Sequence, residues 1–358
     1  MTWAELQSLF AGRQLLEIVD QISGKLPLLG DIEYVPTNDG FGLKHAIGAD
    51  INVSYGTAGN TTVNAGGATV GSKTATMYEI AGLSTVPLSI CNPNNKAEKL
   101  ALYASLKAKS IMRLGLAYMF GYSYNATTEE WSTTNVGFNE TSSQDGEYIN
   151  CTVLDAQGTA DANGLCDAWL VRWGLDGAMV GFPFFDTNNA EYDGVNVLGL
   201  TYGDPYTDTI SNQTVLAQPI WWHVAPTSAR PTAVVKIANL NHPLTANGKY
   251  LDENILLEAF SLLDEDGDNM SLIIPRSQHT KFLKSLVDKS NLVVQVADET
   301  DVGLRRKVLF YNGAKIRPFY DIYHSKKANS TGNGQNGDGN GDGQNGDGNG
   351  DGQNGDGQ

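Results

Sequence analysis

Cysteine is scarce in this sequence: three residues in 358, Cys91, Cys151 and Cys166. None falls in a CxxC or Cys/His spacing, so neither a disulfide scaffold nor a zinc site is indicated. Basic residues are few as well, 24 Lys and Arg against 40 Asp and Glu, for a formal charge of −16. A surface that grips nucleic acid needs clustered cations to displace counterions, and this balance argues against one. No run of 18 apolar residues exists, so no membrane-spanning helix is expected. The opening MTWAELQSLF lacks the basic and apolar regions of a signal peptide, and the expectation is a soluble protein made in the cytosol. Sequons such as Asn139 and Asn212 are what a chain rich in Asn and Thr produces by chance.

Catalytic patterns are missing too. The five histidines, His45, His223, His242, His279 and His324, form no HExxH pair, and there is no GxSxG elbow. His223 follows Trp221 and Trp222 in a strand-like run and reads as packed rather than catalytic. GGATVGSKT (66–74) superficially resembles a phosphate-binding loop, but Ser72 separates Gly71 from Lys73 and the flanks are strand-like. It reads as a flexible hairpin tip. DEDGDN (264–269) begins like an EF-hand loop, yet Asn269 stands where Gly is needed and Pro275 where Glu is needed. A plain acidic turn is expected there. Nothing assembles a nucleophile, a base and an oxyanion donor, so the chain is not expected to be an enzyme. It carries no assigned catalytic, cofactor-binding or metal residue, and no cofactor.

What is present is a mixed α+β pattern. Leu6, Leu9, Phe10, Leu16, Val19 and Ile22 recur at helical spacing behind the capping pair Thr2 and Glu5. After Ser23, Pro and Gly punctuate short apolar pieces that cannot bury a core of their own, which suggests an arm lying on a neighbouring surface. Thr, Val, Gly and Ser dominate from Asp50 to Leu88 and suggest a long, glycine-hinged β-hairpin. Asn95 and Glu98 then open a helix of some 26 residues, roughly 39 Å long, with small residues at Ala104, Ala108 and Gly115.

Strand signals follow in DAWLVRWG, turned by Leu175-Asp176-Gly177 into AMVGFPFF, and in TVLAQPIWWHV and TAVVKIANL. In the first, Trp169, Val171 and Trp173 share one face while Leu170 and Arg172 take the other. Helices are expected at 253–263 and at 278–289, the second capped by Ser277, before the strands NLVVQV, RKVLFYNG and AKIRPFYDI. The last 27 residues contain only Gly, Asn, Gln and Asp. They repeat every nine residues without one apolar side chain, which excludes a calcium β-roll and predicts a solvated, disordered tail.

The order of these segments resembles a known family. LLEIVDQISGKLPLLGDIEYVPTNDG, AWLVRWGLDGAMVGFPFF, AVVKIANLN, SLIIPRSQHTKFLKSL and VLFYNGAKIRPFYDI run between residues 15 and 322. Together they are similar to the major capsid proteins of tailed double-stranded DNA phages, and most of all to a subgroup found in some short-tailed phages. The resemblance implies a Hong Kong 97-type capsid fold: an N-terminal arm (1–46), an extended hairpin or E-loop (47–88), a peripheral domain (89–240) with a spine helix (95–121), an axial domain (241–325) and a disordered tail (326–358). It implies a structural protein that self-assembles as pentamers and hexamers into an icosahedral head. That head would enclose double-stranded DNA without sequence-specific binding, as part of a virion assembled in the bacterial host cytoplasm. Scaffold, portal and decoration proteins are the further partners implied, and no membrane is involved. Two departures concern loops: Phe184-Phe185-Asp186 follows Pro183 where a basic, glycine-containing turn is expected, and TSARPT precedes AVVKIANL in place of a more aromatic segment. A bacterial surface or adhesion module with a low-complexity tether is the alternative. It accounts for the Asn/Thr-rich strands and the tail, but not for the absent export signal or the long helix.

Overall fold

The computed structural model describes residues 27–37, 43–44, 48–49, 68–69, 72–73, 75–91, 95–141, 150–183, 201–210, 213–263, 269–287, 294–301 and 304–326. The chain divides into two units, Met1–Lys327 and Ala328–Gln358, and the second lies outside the described residues. The low-complexity repeat, the amphipathic stretch before Pro27 and the acidic turn at 264–268 therefore also lie outside them.

The first described segment is a 3-10 turn, Pro27–Gly30, followed by strand β1 (Tyr34–Thr37). Leu28, Leu29, Ile32 and Tyr34 are buried in this chain's own core, so this part of the expected arm is integral to the fold. Two short antiparallel pairs follow, Leu43–Lys44 with Ser72–Lys73 and Gly48–Ala49 with Ala68–Thr69. They have the register of a hairpin that opens outward from 43/73 to 48/69. Of GGATVGSKT, Ala68–Thr69 and Ser72–Lys73 lie in these pairs, with Lys73 opposite Leu43, and the other residues lie outside the described ones. β2 (Tyr78–Pro87), expected as part of the same hairpin, pairs over ten residues with a strand far along the chain.

Helix α1 spans Lys96–Met119 with Asn95 at the N-cap position, in agreement with the sequence reading. At 1.5 Å per residue it is about 36 Å long. Its buried face, Ala104, Ala108, Ile111, Met112, Gly115 and Met119, follows the 3.6-residue period. β3 (Tyr122–Asn125) and β4 (Glu130–Thr133) form a small hairpin after it. Then come β5 (Thr152–Asp155), β6 (Leu165–Arg172), β7 (Ala178–Pro183), β8 (Tyr206–Ile210), β9 (Gln213–Ser228) and β10 (Val234–Asn241). Helix α2 (Glu253–Leu262), β11 (Met270–Pro275), helix α3 (Arg276–Val287), β12 (Val294–Asp301), β13 (Leu304–Tyr311) and β14 (Ala314–Phe319) complete the described chain.

Two large sheets result. In one, β9 is the organising strand: β7, β8, β2 and the pair Thr201–Tyr202 all bond to it, and β1 extends the sheet in parallel beyond β7. The other has seven strands in the order β12-β13-β14-β11-β6-β10-β5. DAWLVRWG and AMVGFPFF are therefore not a hairpin. β6 is already paired on one edge with β10 and on the other with β11, so the turn at Leu175-Asp176-Gly177 passes the chain to the other sheet as β7.

The expected alternation along β6 holds, and its consequence is larger than a single buried face. Trp169, Val171 and Trp173 enter one core with the inner side of α1, and Cys166, Ala168 and Leu170 enter a second core with α2 and α3. Every residue of β6 is buried, as a central strand covered on both faces must be. The end of β6 is closed by Arg172, whose Nη2 donates to the Asp176 carbonyl at 3.0 Å.

α2 begins where expected, its Asp252 Oδ1 accepting from the Ile255 amide at 2.9 Å. α3 begins at Arg276, two residues ahead of the reading, with Ser277 inside its first turn. Asp321, remote in sequence, accepts from Ser277 N at 2.9 Å and Ser277 Oγ at 2.8 Å, and so fills the capping role assigned to the serine.

Candidate functional site

Among the described residues no group of three His, Cys, Asp or Glu side chains is placed to hold a metal. No helix there is long and apolar enough to cross a membrane. The unusual chemistry lies in two buried ionic clusters that clamp distant segments together, and in one outward helix face.

The first cluster centres on Asp31. Its carboxylate accepts from Ser271 Oγ at 3.0 Å, Lys315 Nζ at 3.2 Å and the Arg317 guanidinium, whose Nη2 lies at 2.7 Å and whose Nε holds the other oxygen. Trp173 Nε1 donates to Ser271 Oγ at 3.1 Å, and Asn269 Nδ2 to the Asp31 carbonyl at 3.2 Å. A two-pronged arginine–carboxylate contact of this kind fixes geometry as well as charge. It fastens the segment before β1 to β11 and β14.

The second centres on Asp167 in β6. Lys236 Nζ lies 3.2 Å from one oxygen, and Tyr122 OH donates to the same oxygen at 2.9 Å. His324 Nε2 and the Asn239 amide reach the other at 3.2 and 3.0 Å. Burial alone would raise the Asp167 pKa. The hydrogen bond from His324, the charges of Lys236 and His324 and the Asn239 N–H outweigh it, and the carboxyl is held well below the usual range. Burial, reinforced by the Asp167 charge, pushes the Tyr122 phenol up and keeps it a donor.

For a carboxylate whose folded pKa is depressed, the stability contribution is present above the unfolded value of about 3.9 and lost as pH falls from there toward the folded one. Acidification from about pH 5 to about pH 3 should therefore lower the denaturant midpoint of the wild-type subunit more steeply than that of Asp167→Asn. Parallel slopes would show that the cluster carries no such linkage.

The histidine expected to pack, His223, lies instead on the half-exposed face of β9, its Nε2 2.9 Å from Glu79 Oε2 on the neighbouring strand. His324, which matched no motif, is the buried one among the described histidines. Cys166 is buried too, and desolvation pushes its thiol up, against any nucleophilic role. None of the clustered charges was singled out in the sequence. The signal that could have found them is one ionisable residue inside an apolar strand: Asp167 in CDAWLV, Lys236 in VVKIANL and Arg317 in AKIRPF.

The outward face of α1 is different. Leu102, Leu106 and Leu114 are 51%, 53% and 37% exposed on a helix whose opposite face is fully packed. Interleaved with them the helix carries Lys96, Lys99, Lys107, Lys109 and Arg113 against the single acid Glu98, a basic strip on an acidic protein. Beside it opens a pocket of about 640 Å³ lined by Lys107, Ser110, Arg113, Leu114, Tyr124, Glu129 and Trp131. The Arg113 guanidinium stacks 4.3 Å from the Tyr320 ring centroid, which fixes one wall. Exposed leucines, flanking cations and an aromatic rim are the makings of a protein contact surface.

Comparisons with known proteins bear on what that contact serves. The family model described as "Major capsid protein GP7" matches residues 11–328. No curated protein matches the sequence. Among solved structures, a cryo-EM structure of bacteriophage Epsilon15 is 14% identical, with 83% of this chain and 88% of that chain covered and a TM-score of 0.49. The bacteriophage JBD30 capsid is 10% identical, with 82% and 88% covered and a TM-score of 0.39. The SrpI encapsulin of Synechococcus elongatus PCC 7942 is 9% identical, with 59% and 86% covered and a TM-score of 0.32.

Proposed function

The chain belongs to the major capsid protein GP7 family, and from that premise we propose how its surfaces build a shell. It is a structural, non-enzymatic protein of the virion that forms the phage head. The observation that carries the proposal is the outward face of α1: Leu102 and Leu106 expose apolar surface from the longest rigid element, flanked by cations in a chain of net charge −16. A second copy supplies both the apolar area and the acidic complement, so this face is a contact between subunits.

The finer organisation follows the Hong Kong 97-type arrangement of the short-tailed subgroup, with pentamers and hexamers as the repeating units. α1 is its spine helix, the hairpin based at 43/73 its extended loop, and the seven-stranded sheet with α2 and α3 its axial part. The arm that reaches a neighbour is confined to the stretch before Pro27, since Leu28, Leu29, Asp31, Ile32 and Tyr34 are buried in their own chain. Scaffold, portal and decoration proteins are accessory partners. The anionic tail is a solvated brush. The acidic balance suits an enclosure that must not trap the DNA entering it.

Double substitution Leu102→Asp and Leu106→Asp tests the contact. Burying one leucine is worth about 1.5–3 kcal/mol, so losing two should raise the concentration needed for assembly roughly a hundredfold or more. Circular dichroism should show a folded subunit, while electron microscopy should show no closed shells at concentrations where the wild type assembles. Normal shells from the variant would remove α1 from the interface.

A further inference from the structure

The turn between β6 and β7 is built more rigidly than this chain's own packing requires. Arg172 is 2% exposed, and among the described residues its side chain bonds only to Asp176: Nη1 reaches Asp176 Oδ2 at 3.3 Å, and Nη2 donates to the Asp176 carbonyl at 3.0 Å. Taking a guanidinium out of water is unfavourable, and pairing it with an exposed carboxylate offsets little of that. What the arrangement secures is the shape of the turn. Gly177 N donates to the Gly174 carbonyl at 3.0 Å, and Gly174 N to the Ala178 carbonyl at 3.1 Å. A Cβ at Gly177 would lie 2.5 Å from the Arg172 carbonyl oxygen, so only glycine fits there. Between the two glycines, Leu175 and Asp176 are the only side chains at the tip, 66% and 67% exposed. The result is a stiff knob with one apolar and one anionic side chain.

The pocket beside α1 has the complementary chemistry. Leu114, Tyr124 and Trp131 give it apolar walls, the two ring centroids 5.0 Å apart. Lys107 and Arg113 supply two cations against the one acid Glu129, and among the described residues neither cation pairs with an acid. Its volume of about 640 Å³ has room for two side chains. We propose that the Leu175–Asp176 turn of one copy enters the α1 pocket of the next copy.

This rests on the reading of the outward face of α1 as a subunit contact, and it names what meets that face. The leucine covers Leu114 and the rings, and the carboxylate meets Lys107 and Arg113. Two such pockets do not face each other across a two-fold axis, because their cations would meet their own copies. Knob and pocket are different patches, so the contact is head-to-tail, the kind that closes into rings.

Cysteine pairing tests it. The double variant Leu114→Cys with Leu175→Cys is assembled under reducing conditions and then oxidised, a step that requires the two Cα atoms to come within about 7 Å. Because each copy carries both partners, the links should propagate, and a non-reducing gel should show a ladder extending past dimers that collapses with reductant. Each single-cysteine variant should give no ladder, which controls for Cys91. Separately, Leu175→Lys sets a cation against Lys107 and Arg113 and should raise the assembly concentration roughly tenfold or more, with circular dichroism unchanged. Adding Lys107→Glu to it should recover much of the loss. Oxidation products that stop at dimers or never form, or a Leu175→Lys variant that assembles at the wild-type concentration, overturn the proposal. If Leu102→Asp with Leu106→Asp still abolishes shells in that case, α1 stays in the interface and only its partner is wrong.

Discussion

Arg317→Met should destabilise the subunit by about 3–5 kcal/mol, the cost of leaving a buried carboxylate without its main partner. Asp31 is 3% exposed and Arg317 4%, so water cannot replace what is lost. Lys315 remains 3.2 Å from Asp31 as a second cation. It is a point charge and cannot reproduce the paired N–H donors of the guanidinium. Arg317→Lys should therefore recover only part of the loss. The measurement is guanidinium unfolding of the unassembled subunit, with a surface lysine-to-alanine control expected within about 0.5 kcal/mol of wild type. A loss below about 1 kcal/mol would mean that the pair is not a clamp, because a pair of that worth behaves like an exposed one. The double variant Asp31→Leu with Arg317→Met should be less damaging than the single one, since no buried carboxylate is left unpaired and Lys315, the cation that loses its partner, is partly exposed to water. Any residual deficit would measure what the clamp gives to orientation: it ties the turn before β1 to β14, nearly the whole chain length away.

The elements most legible in the sequence were those whose local pattern is also their global role. α1 was readable because Asn95 and Glu98 mark its start and small and apolar residues recur along one side. The two faces of β6 were readable because side-chain alternation in a strand is strict. What was not readable was which strands pair. The turn after Trp173 carries hairpin chemistry, yet both edges of β6 are taken by strands that come later in the chain, and local sequence holds no record of that competition. β2 was assigned to a hairpin for the same reason, while its ten-residue ladder with β9 spans more than a hundred residues of chain. Ser277 looked like a cap because the side chain that does the work, Asp321, is distant in sequence. The contact surface is harder still. Leu102 and Leu106 resemble core leucines until the packed side of the helix is known, and only then does their exposure become informative.

Gly115 and Trp222 form the joint between α1 and the sheet beneath it, and the sign of one substitution there should reverse with its background. Trp222 is 1% exposed, among the largest fully buried side chains, and it fills the space above the glycine. A Cβ at Gly115 would come within 2.2 Å of two ring carbons of Trp222, closer than any real contact. Gly115→Ala improves helix propensity by about 1 kcal/mol. The overpacking it forces against an immobile ring costs about 1–3 kcal/mol or more, so the net effect should be destabilising. Trp222→Ala alone should cost about 3–5 kcal/mol, through lost burial and the cavity left between helix and sheet. In that second background the main obstacle to a methyl group is gone; Ile80 Cδ1 at 3.1 Å is the end of a side chain that can shift into the vacated space, and Gly115→Ala should become stabilising by up to about 1 kcal/mol. Denaturant unfolding of the two single variants and the double variant closes the cycle. If Gly115→Ala has the same effect with and without the tryptophan, the two residues are not coupled and the glycine is not what seats the helix on the sheet. If the sign reverses, the approach of helix to sheet is set at this one position, and with it the height at which Leu102 and Leu106 stand out from the subunit.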